Sequence, residues 1–359
     1  MSCSLRPTAG QDGVLWGEEF SRAEIDDAKA RGGLLSLELE LSRRCNLACI
    51  YCYAASGQPL KDELTLEEID NIIFQAKQLG AKKIIVLGGG EPLLYQNILH
   101  VLDKIVQNGL DCDIFTNGTL ITPELATFLY DRKIGVAIKL NSFNSRIQDE
   151  LAGVDGAYDK IQAGLQHLLQ AGYPDDAHRL GIETIICQQN YDEIPAIWRW
   201  ARQNDIIPYI EIMTQQGRAK DHPELTVTSL ELKNLFNLLS NIDRTEFGID
   251  WVPHPPLAAS QCARHEYSCT VTANGDVHPC PGVDIAVGNI READLKEILH
   301  KSPVIQELRN IRKLIKGRCK TCDLSQQCYG CRGHAYQTTG DYLESDPICW
   351  LEEDEMDSI

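Results

Sequence analysis

The residues best suited to do chemistry are three cysteines in the run Arg44-Cys45-Asn46-Leu47-Ala48-Cys49-Ile50-Tyr51-Cys52, spaced Cys-x3-Cys-x2-Cys. Three thiolates this close can hold three corners of a cubane [4Fe–4S] cluster, which ordinarily takes four. One iron then lacks a protein ligand. An open coordination position is what separates a catalytic metal site from a closed structural one. The competing reading is a structural zinc site, which needs a fourth Cys or His close by. The next ones downstream are His100 and Cys112, both distant in sequence.

A second concentration of thiols lies near the C-terminus. Of fourteen cysteines, eight fall between Cys262 and Cys349, and only Cys3, Cys112 and Cys187 stand apart, reading as small buried hydrophobes. The order is Cys262-x6-Cys269, Gly275-x4-Cys280, Cys319-x2-Cys322-x5-Cys328-x2-Cys331 and then Cys349. Eight thiolates can close two cubane clusters, and Cys-x2-Cys pairs equally suit a pair of zinc ribbons.

Regular elements must position these groups. Leu35 to Leu41 alternates apolar and polar residues, which predicts a strand, and the cysteine run follows it in a loop. Thr65-Leu66-Glu67-Glu68 is a capping box opening a helix through about Leu79. Apolar strands follow at Lys83–Leu87, Cys112–Phe115, Ile134–Leu140, Leu180–Cys187 and Ile206–Met213, each trailed by a helical pattern. Six strand–helix units in series predict a parallel sheet covered by helices, either a partial barrel or an open doubly wound sheet. Both architectures put function at the C-terminal ends of the strands. The unusual sequence falls there: Gly88-Gly89-Gly90-Glu91-Pro92 after the second strand, Thr116-Asn117-Gly118 after the third, Asn141-Ser142 after the fourth. Beyond Gly248 the alternation stops, and Pro253, Pro255 and Pro256 mark a linker. The chain thus divides into an N-terminal extension (1–34) with a short helix near Arg22–Ala30, a strand–helix unit (35–248) and a cysteine-rich unit (249–359) closing in the acidic, solvated tail Glu352–Asp357.

Composition narrows the classes. The chain has 359 residues, 43% hydrophobic and 24% charged, enough to bury a large core. A net charge of −18 with no basic run argues against nucleic acid as a partner. No apolar run reaches membrane-spanning length, and Met1 to Leu34 carries no signal-like apolar region, so a membrane is not expected and a reducing cytoplasm is. There, clustered cysteines read as metal ligands rather than disulfides.

Cys45, Cys49 and Cys52, with Tyr51 before the last, resemble the signature of radical S-adenosylmethionine (SAM) enzymes, and Gly89-Gly90-Glu91-Pro92 resembles that family's second motif. The C-terminal thiols resemble the SPASM subgroup, whose extension carries two further clusters. The resemblance implies a partial (β/α)6 TIM-type barrel with a cysteine-rich iron–sulfur domain, three [4Fe–4S] clusters and SAM. It implies that Cys45, Cys49 and Cys52 hold the SAM-binding cluster, and that Gly89, Gly90 and Glu91 accept hydrogen bonds from the methionine ammonium. It also pairs Cys262, Cys269, Cys280 and Cys331 around one auxiliary cluster, and Cys319, Cys322, Cys328 and Cys349 around the other.

Tyr51, Asn117, Asn141, Asn190 and Met213 are the further expected SAM contacts. The Ser-x-Asp pattern usual after the fourth strand reads Lys139-Leu140-Asn141 here, and the arginine many relatives place in the next helix falls at Ala152. Lys139 is therefore expected to supply the cation for the methionine carboxylate. The Asp that some relatives carry after the third auxiliary cysteine is Pro281, which leaves Asp284, Glu211 and His278 as base candidates by location. Tyr329, Arg332 and His334 are candidates to tune a cluster through sulfur, and Arg218 to pair with an anionic group. The implied activity is cleavage of SAM to a 5′-deoxyadenosyl radical, hydrogen-atom abstraction from substrate, and oxidation with the auxiliary clusters as electron relay. The expected substrate is a side chain of a ribosomally made peptide; the alternatives are a tetrapyrrole side chain in a haem-type pathway and a sugar or aminocyclitol. A flavodoxin or ferredoxin is the expected electron donor. A non-enzymatic iron–sulfur or zinc protein would not need the Gly-Gly-Glu rim.

Overall fold

The computed structural model describes residues 19–351, so Cys3 and the acidic tail lie outside the described residues. The helix expected in the N-terminal extension is α1, Arg22–Ala30, opened by a capping box between Ser21 and Glu24. Six strands follow: β1 Ser36–Glu40, β2 Lys83–Leu87, β3 Asp111–Thr116, β4 Gly135–Lys139, β5 Leu180–Ile186 and β6 Ile207–Ile212. They alternate with helices α2 Leu66–Gln78, α3 Ile98–Gln107, α4 Pro123–Asp131, the pair α5 Ser145–Ala152 and α6 Ala157–Ala171, α7 Ile194–Gln203 and α8 Ser229–Ile242. Every pairing from β1 to β6 is parallel and between sequence neighbours. β2 shows why its run reads as continuously apolar: all five of its residues are buried, between the barrel interior and α2 and α3.

The sheet curls on itself. Phe115 on β3 meets Tyr209 on β6 edge to face, with ring centres 5.7 Å apart. The Arg264 guanidinium pairs with Glu38 on β1 and donates to the Tyr209 hydroxyl at 3.0 Å. Side chains of the first and last barrel strands therefore meet through one residue, although β1 and β6 share no ladder. The barrel is open along that seam.

Two short strands extend the sheet beyond β1: β7 Thr270–Val271 lies parallel to β1, and β8 Val277–His278 returns antiparallel to β7. The cysteine-rich segment thus begins inside the barrel's own sheet. It ends by packing Trp350 against Phe236 of α8, at 5.0 Å between ring centres. Among the described residues no helix is long and apolar enough to cross a membrane.

Candidate active site

The cysteine run occupies the loop between β1 and α2, which folds back on itself and is held by three other parts of the barrel rim. The amide of Cys45 donates to Gly57 O at 3.0 Å, which folds the loop back on itself. The amides of Ala48 and Ile50 donate to Ala152 O and Leu151 O at the end of α5 (3.0 and 3.1 Å). Glu91 N donates to Arg44 O at 2.8 Å. Arg218, after β6, donates from Nε to Cys49 O at 2.8 Å and from Nη1 to Ser56 O at 2.7 Å. Arg218 thus engages the loop through two of its guanidinium nitrogens.

Burial raises the Cys45 thiol and pushes Cys49 up to about 11, and the nearby Cys52 charge adds to both. Thiols this reluctant to ionise alone become ligands only when a metal supplies the compensating charge. The glycine strip lies directly against this loop. A Cβ on Gly90 would sit 2.1 Å from Arg44 O, and one on Gly89 would sit 2.6 Å from Glu40 Oε2. Only backbone fits between the second strand and the cluster loop.

Several expected SAM contacts turn inward. Asn141 is wholly buried: its Nδ2 donates to Tyr51 Oη at 2.7 Å and its Oδ1 accepts from Ile185 N at 2.9 Å. Asn190 is wholly buried too, donating to Asn141 O and Ile185 O and accepting from Cys187 N. Asn117 bonds to Asn46 at 2.9 Å and accepts from Thr119, joining the first rim loop to the third. The Glu91 carboxylate accepts from Thr116 Oγ1 (2.6 Å), Asn117 N (2.8 Å) and Leu93 N (3.0 Å), so its side chain ties β2 to β3 and leaves backbone to face outward. The three asparagines and Glu91 are struts of the rim. Met213 packs beside Tyr51 and Leu225, and its carbonyl accepts from His334 Nε2 at 3.1 Å.

Lys139 points across the barrel mouth, 5.4 Å from the centre of the Tyr51 ring, and pairs with Glu183 at 2.7 Å. Its ammonium, expected to serve the methionine carboxylate, has Glu183 as its carboxylate partner in the structure. Burial works against that ammonium, but Glu183 and Glu211 outweigh it and raise its pKa. Glu211 is pushed up to about 8, first by burial and then by the Glu183 charge. Asp284 is engaged by Gln216 and Gln337 at 3.0 and 2.8 Å. His278 has its pKa lowered by burial.

The C-terminal thiols fall into two groups. Cys262, Cys280 and Cys331 lie together: burial raises the Cys262 and Cys280 thiols, and the Cys331 charge adds to both. Cys322 feels Cys328 and Cys319, and Cys349 feels Cys319, which draws the remaining four together. Cys269 stands apart from the first group. Its neighbour Thr270 faces the interior and donates to Glu38 at 2.6 Å, so alternation along β7 sends the Cys269 thiol into the main core under the helices. The charges it feels are those of Arg309 and Glu38. Asp346, wholly buried, links the two groups by accepting from Cys331 N at 2.6 Å and Ile348 N at 3.1 Å. Arg332 is buried against Tyr342 O and Glu344 O, and Tyr329 is buried in the same small core. Among the described residues no three His, Cys, Asp or Glu converge tightly enough for a single metal ion.

An open barrel with three thiols on its rim beside a glycine cradle, followed by a domain of grouped thiols, defines a radical-forming iron–sulfur enzyme. The chain belongs to the radical SAM superfamily: residues 39–201 match that superfamily, and residues 262–331 match an iron–sulfur cluster-binding domain of SPASM type. It is 30% identical to the AdoMet-dependent heme synthase of Methanosarcina barkeri over 338 residues, covering 86% of this chain and 94% of that enzyme. It is 26% identical to the mycofactocin maturase MftC of Mycolicibacterium smegmatis over 330 residues, 88% of this chain and 82% of the other. In fold it is similar to Streptococcus suis SuiB bound to SAM, with a TM-score of 0.70, 20% identity and coverage of 92% and 81% of the two chains. Family membership brings SAM, a SAM-binding [4Fe–4S] cluster and auxiliary iron–sulfur clusters as cofactors.

Proposed function

We propose that this protein is an oxidoreductase that oxidises an unactivated position of its substrate, and that the substrate is a peptide side chain. The observation that carries the reaction class is the three-thiol loop seated against a glycine cradle at the barrel mouth. A cluster and SAM held there would supply 5′-deoxyadenosyl radical chemistry for hydrogen-atom abstraction, and auxiliary clusters would supply an electron acceptor for a net oxidation. Cys45, Cys49 and Cys52 hold the first cluster, and the backbone of Gly89–Glu91 meets the methionine ammonium. Cys319, Cys322, Cys328 and Cys349 close one auxiliary cluster. Cys262, Cys280 and Cys331 hold the other, with Cys269 the candidate for its fourth position. Residues 35–248 form the radical-generating unit and 249–359 the auxiliary one. The protein works in the cytoplasm with a flavodoxin or ferredoxin as donor.

The rest is done by the chain's own groups. The buried struts Asn141, Asn190 and Glu91 fix the rim and cost no reorganisation when the cofactor binds. The interior supports a substrate without free carboxylates. Among the described residues, its cations Arg43, Lys139 and Arg264 face Glu40, Glu183 and Glu38 respectively, and Lys83 and Arg179 both pair with Asp113. None of these is left to neutralise an acidic side chain.

A second reading is oxidation of a tetrapyrrole carboxylate side chain, favoured by the 30% identity over 94% of a heme synthase. Anaerobic incubation with SAM and dithionite separates the two. A mass loss of about 2 Da on a short peptide encoded beside the gene supports the first, and CO2 release from a tetrapyrrole propionate supports the second and refutes the first.

A further inference from the structure

The seam of the barrel poses a mechanical question. β1 and β6 share no ladder, so sheet hydrogen bonds do not fix the loop after β1 relative to the loop after β6. Yet the loop after β1 carries the three rim thiols, whose spacing must be held closely to seat a cluster.

The segment after β6 crosses that seam. Gly217 takes φ +57°, in the left-handed region, and a Cβ there would lie 2.2 Å from Tyr53 O and 2.4 Å from Cys52 O. Its backbone therefore rests directly on the cysteine loop, with no room for a side chain. Arg218 then grips the loop at three points. Its backbone N–H donates to Cys52 O at 3.0 Å, Nε to Cys49 O at 2.8 Å and Nη1 to Ser56 O at 2.7 Å. The three carbonyls belong to two of the rim cysteines and to the residue whose hydroxyl lies 3.3 Å from Cys52 Sγ. One planar guanidinium reaches two carbonyls seven residues apart, which an ammonium on a flexible stem cannot do as a fork. Nη2 is buried with no hydrogen-bond partner among the described residues, so the guanidinium keeps an unspent donor beside the loop. Immediately upstream, Gln216 Nε2 donates to Pro281 O at 2.9 Å, which anchors the same segment to the cysteine-rich domain.

We propose that Gly217-Arg218 is a clamp that holds the Cys45–Cys52 loop in its ligating shape across the open seam, with Arg218 as the positioning residue. That the loop ligates a cluster rests on the function proposed above; the clamp itself is a property of the polypeptide and can be read without iron.

The test compares wild type, Arg218→Gln, Arg218→Lys and Gly217→Ala as full-length protein. In iron-free protein, alkylation of Cys45, Cys49 and Cys52 is timed by mass spectrometry against Cys262 and Cys319 as internal references. We expect about a tenfold faster reaction of the three rim thiols in Arg218→Gln and Gly217→Ala, with the references unchanged. After anaerobic reconstitution, we expect Arg218→Gln to bind about four fewer iron atoms than wild type and to lose the SAM-dependent change in the EPR spectrum of the reduced protein. Arg218→Lys keeps the charge and should recover less than half of each readout. Unchanged alkylation in both Arg218→Gln and Gly217→Ala overturns the clamp. So does full recovery by lysine, which would reduce the residue to a charge. Wild-type protein that binds no iron overturns the proposed function instead, and the alkylation result still decides the clamp.

Discussion

Replacing Glu211 by glutamine should make the protein more stable at alkaline pH, and by an amount that grows with pH. In the folded chain Glu211 keeps its proton until the pH nears about 8, because burial and the Glu183 charge both oppose its ionisation. Unfolded, the same side chain releases its proton at the ordinary carboxylate value of about 4.3. Between those values the folded state binds more protons than the unfolded state, so stability falls as pH rises. The contribution is whole below the unfolded value, declines through the window and is lowest above about 8. Each tenfold difference in proton affinity is worth about 1.4 kcal/mol, which sets a ceiling of roughly 5 kcal/mol. The Lys139 charge favours the ionised form and offsets part of this, so the expected gain is about 1–2 kcal/mol. Glutamine keeps the shape and cannot titrate. In a chain this long such a gain moves the thermal midpoint by about 2 °C. Calorimetry of wild type and Glu211→Gln at pH 5.5, 7 and 8.5 reads it directly. A difference that stays flat or shrinks toward pH 8.5 would refute the assignment of a retained proton to this carboxyl.

Two further variants address the rim. Gly90→Ala places a methyl 2.1 Å from the Arg44 carbonyl, so the cysteine loop must shift; SAM binding measured by calorimetry on reconstituted protein should weaken at least tenfold, and affinity within twofold of wild type would count against the cradle. Lys139→Met tests whether the ammonium serves Glu183 or the cofactor. With its partner already 2.7 Å away, we expect SAM affinity to change less than threefold, and a tenfold loss would return Lys139 to the methionine carboxylate.

The fold was largely legible because βα units write themselves in periodicity. β2 runs over Lys83–Leu87, as the apolar run indicates, and the Thr65–Glu68 capping box opens α2. Two-residue strands carry no periodic signal, so the joining of Thr270–Val271 to β1 was not. The site divides in the same way. Cysteine spacing is a local property and survives folding, which is why the rim thiols and the C-terminal concentration of thiols are visible in the chain, whereas the division of the latter into two sets comes from the family resemblance. Side-chain direction is not local. Asn141 and Asn190 stand at strand ends where a cofactor contact is reasonable, yet both face into the protein to satisfy backbone groups that the loop turns leave open. Cys269 lies just before β7 with its side chain in the main core, a direction its spacing does not encode. Arg218 and Arg264 act on residues 169 and 226 positions away, a reach that no pattern in a single sequence encodes. The one available signal for Arg218 was the preceding glycine, whose positive φ brings backbone onto backbone.

The most direct test of the account is the iron and SAM chemistry of the whole chain. Reconstituted without oxygen, the protein should hold about twelve iron atoms for three [4Fe–4S] clusters, and with dithionite and SAM it should release 5′-deoxyadenosine. Replacing Cys45, Cys49 and Cys52 together with alanine should remove about four of those irons and all of the cleavage, leaving the auxiliary complement in place. Stoichiometric zinc, or release of 5′-deoxyadenosine that survives the triple replacement, would contradict it.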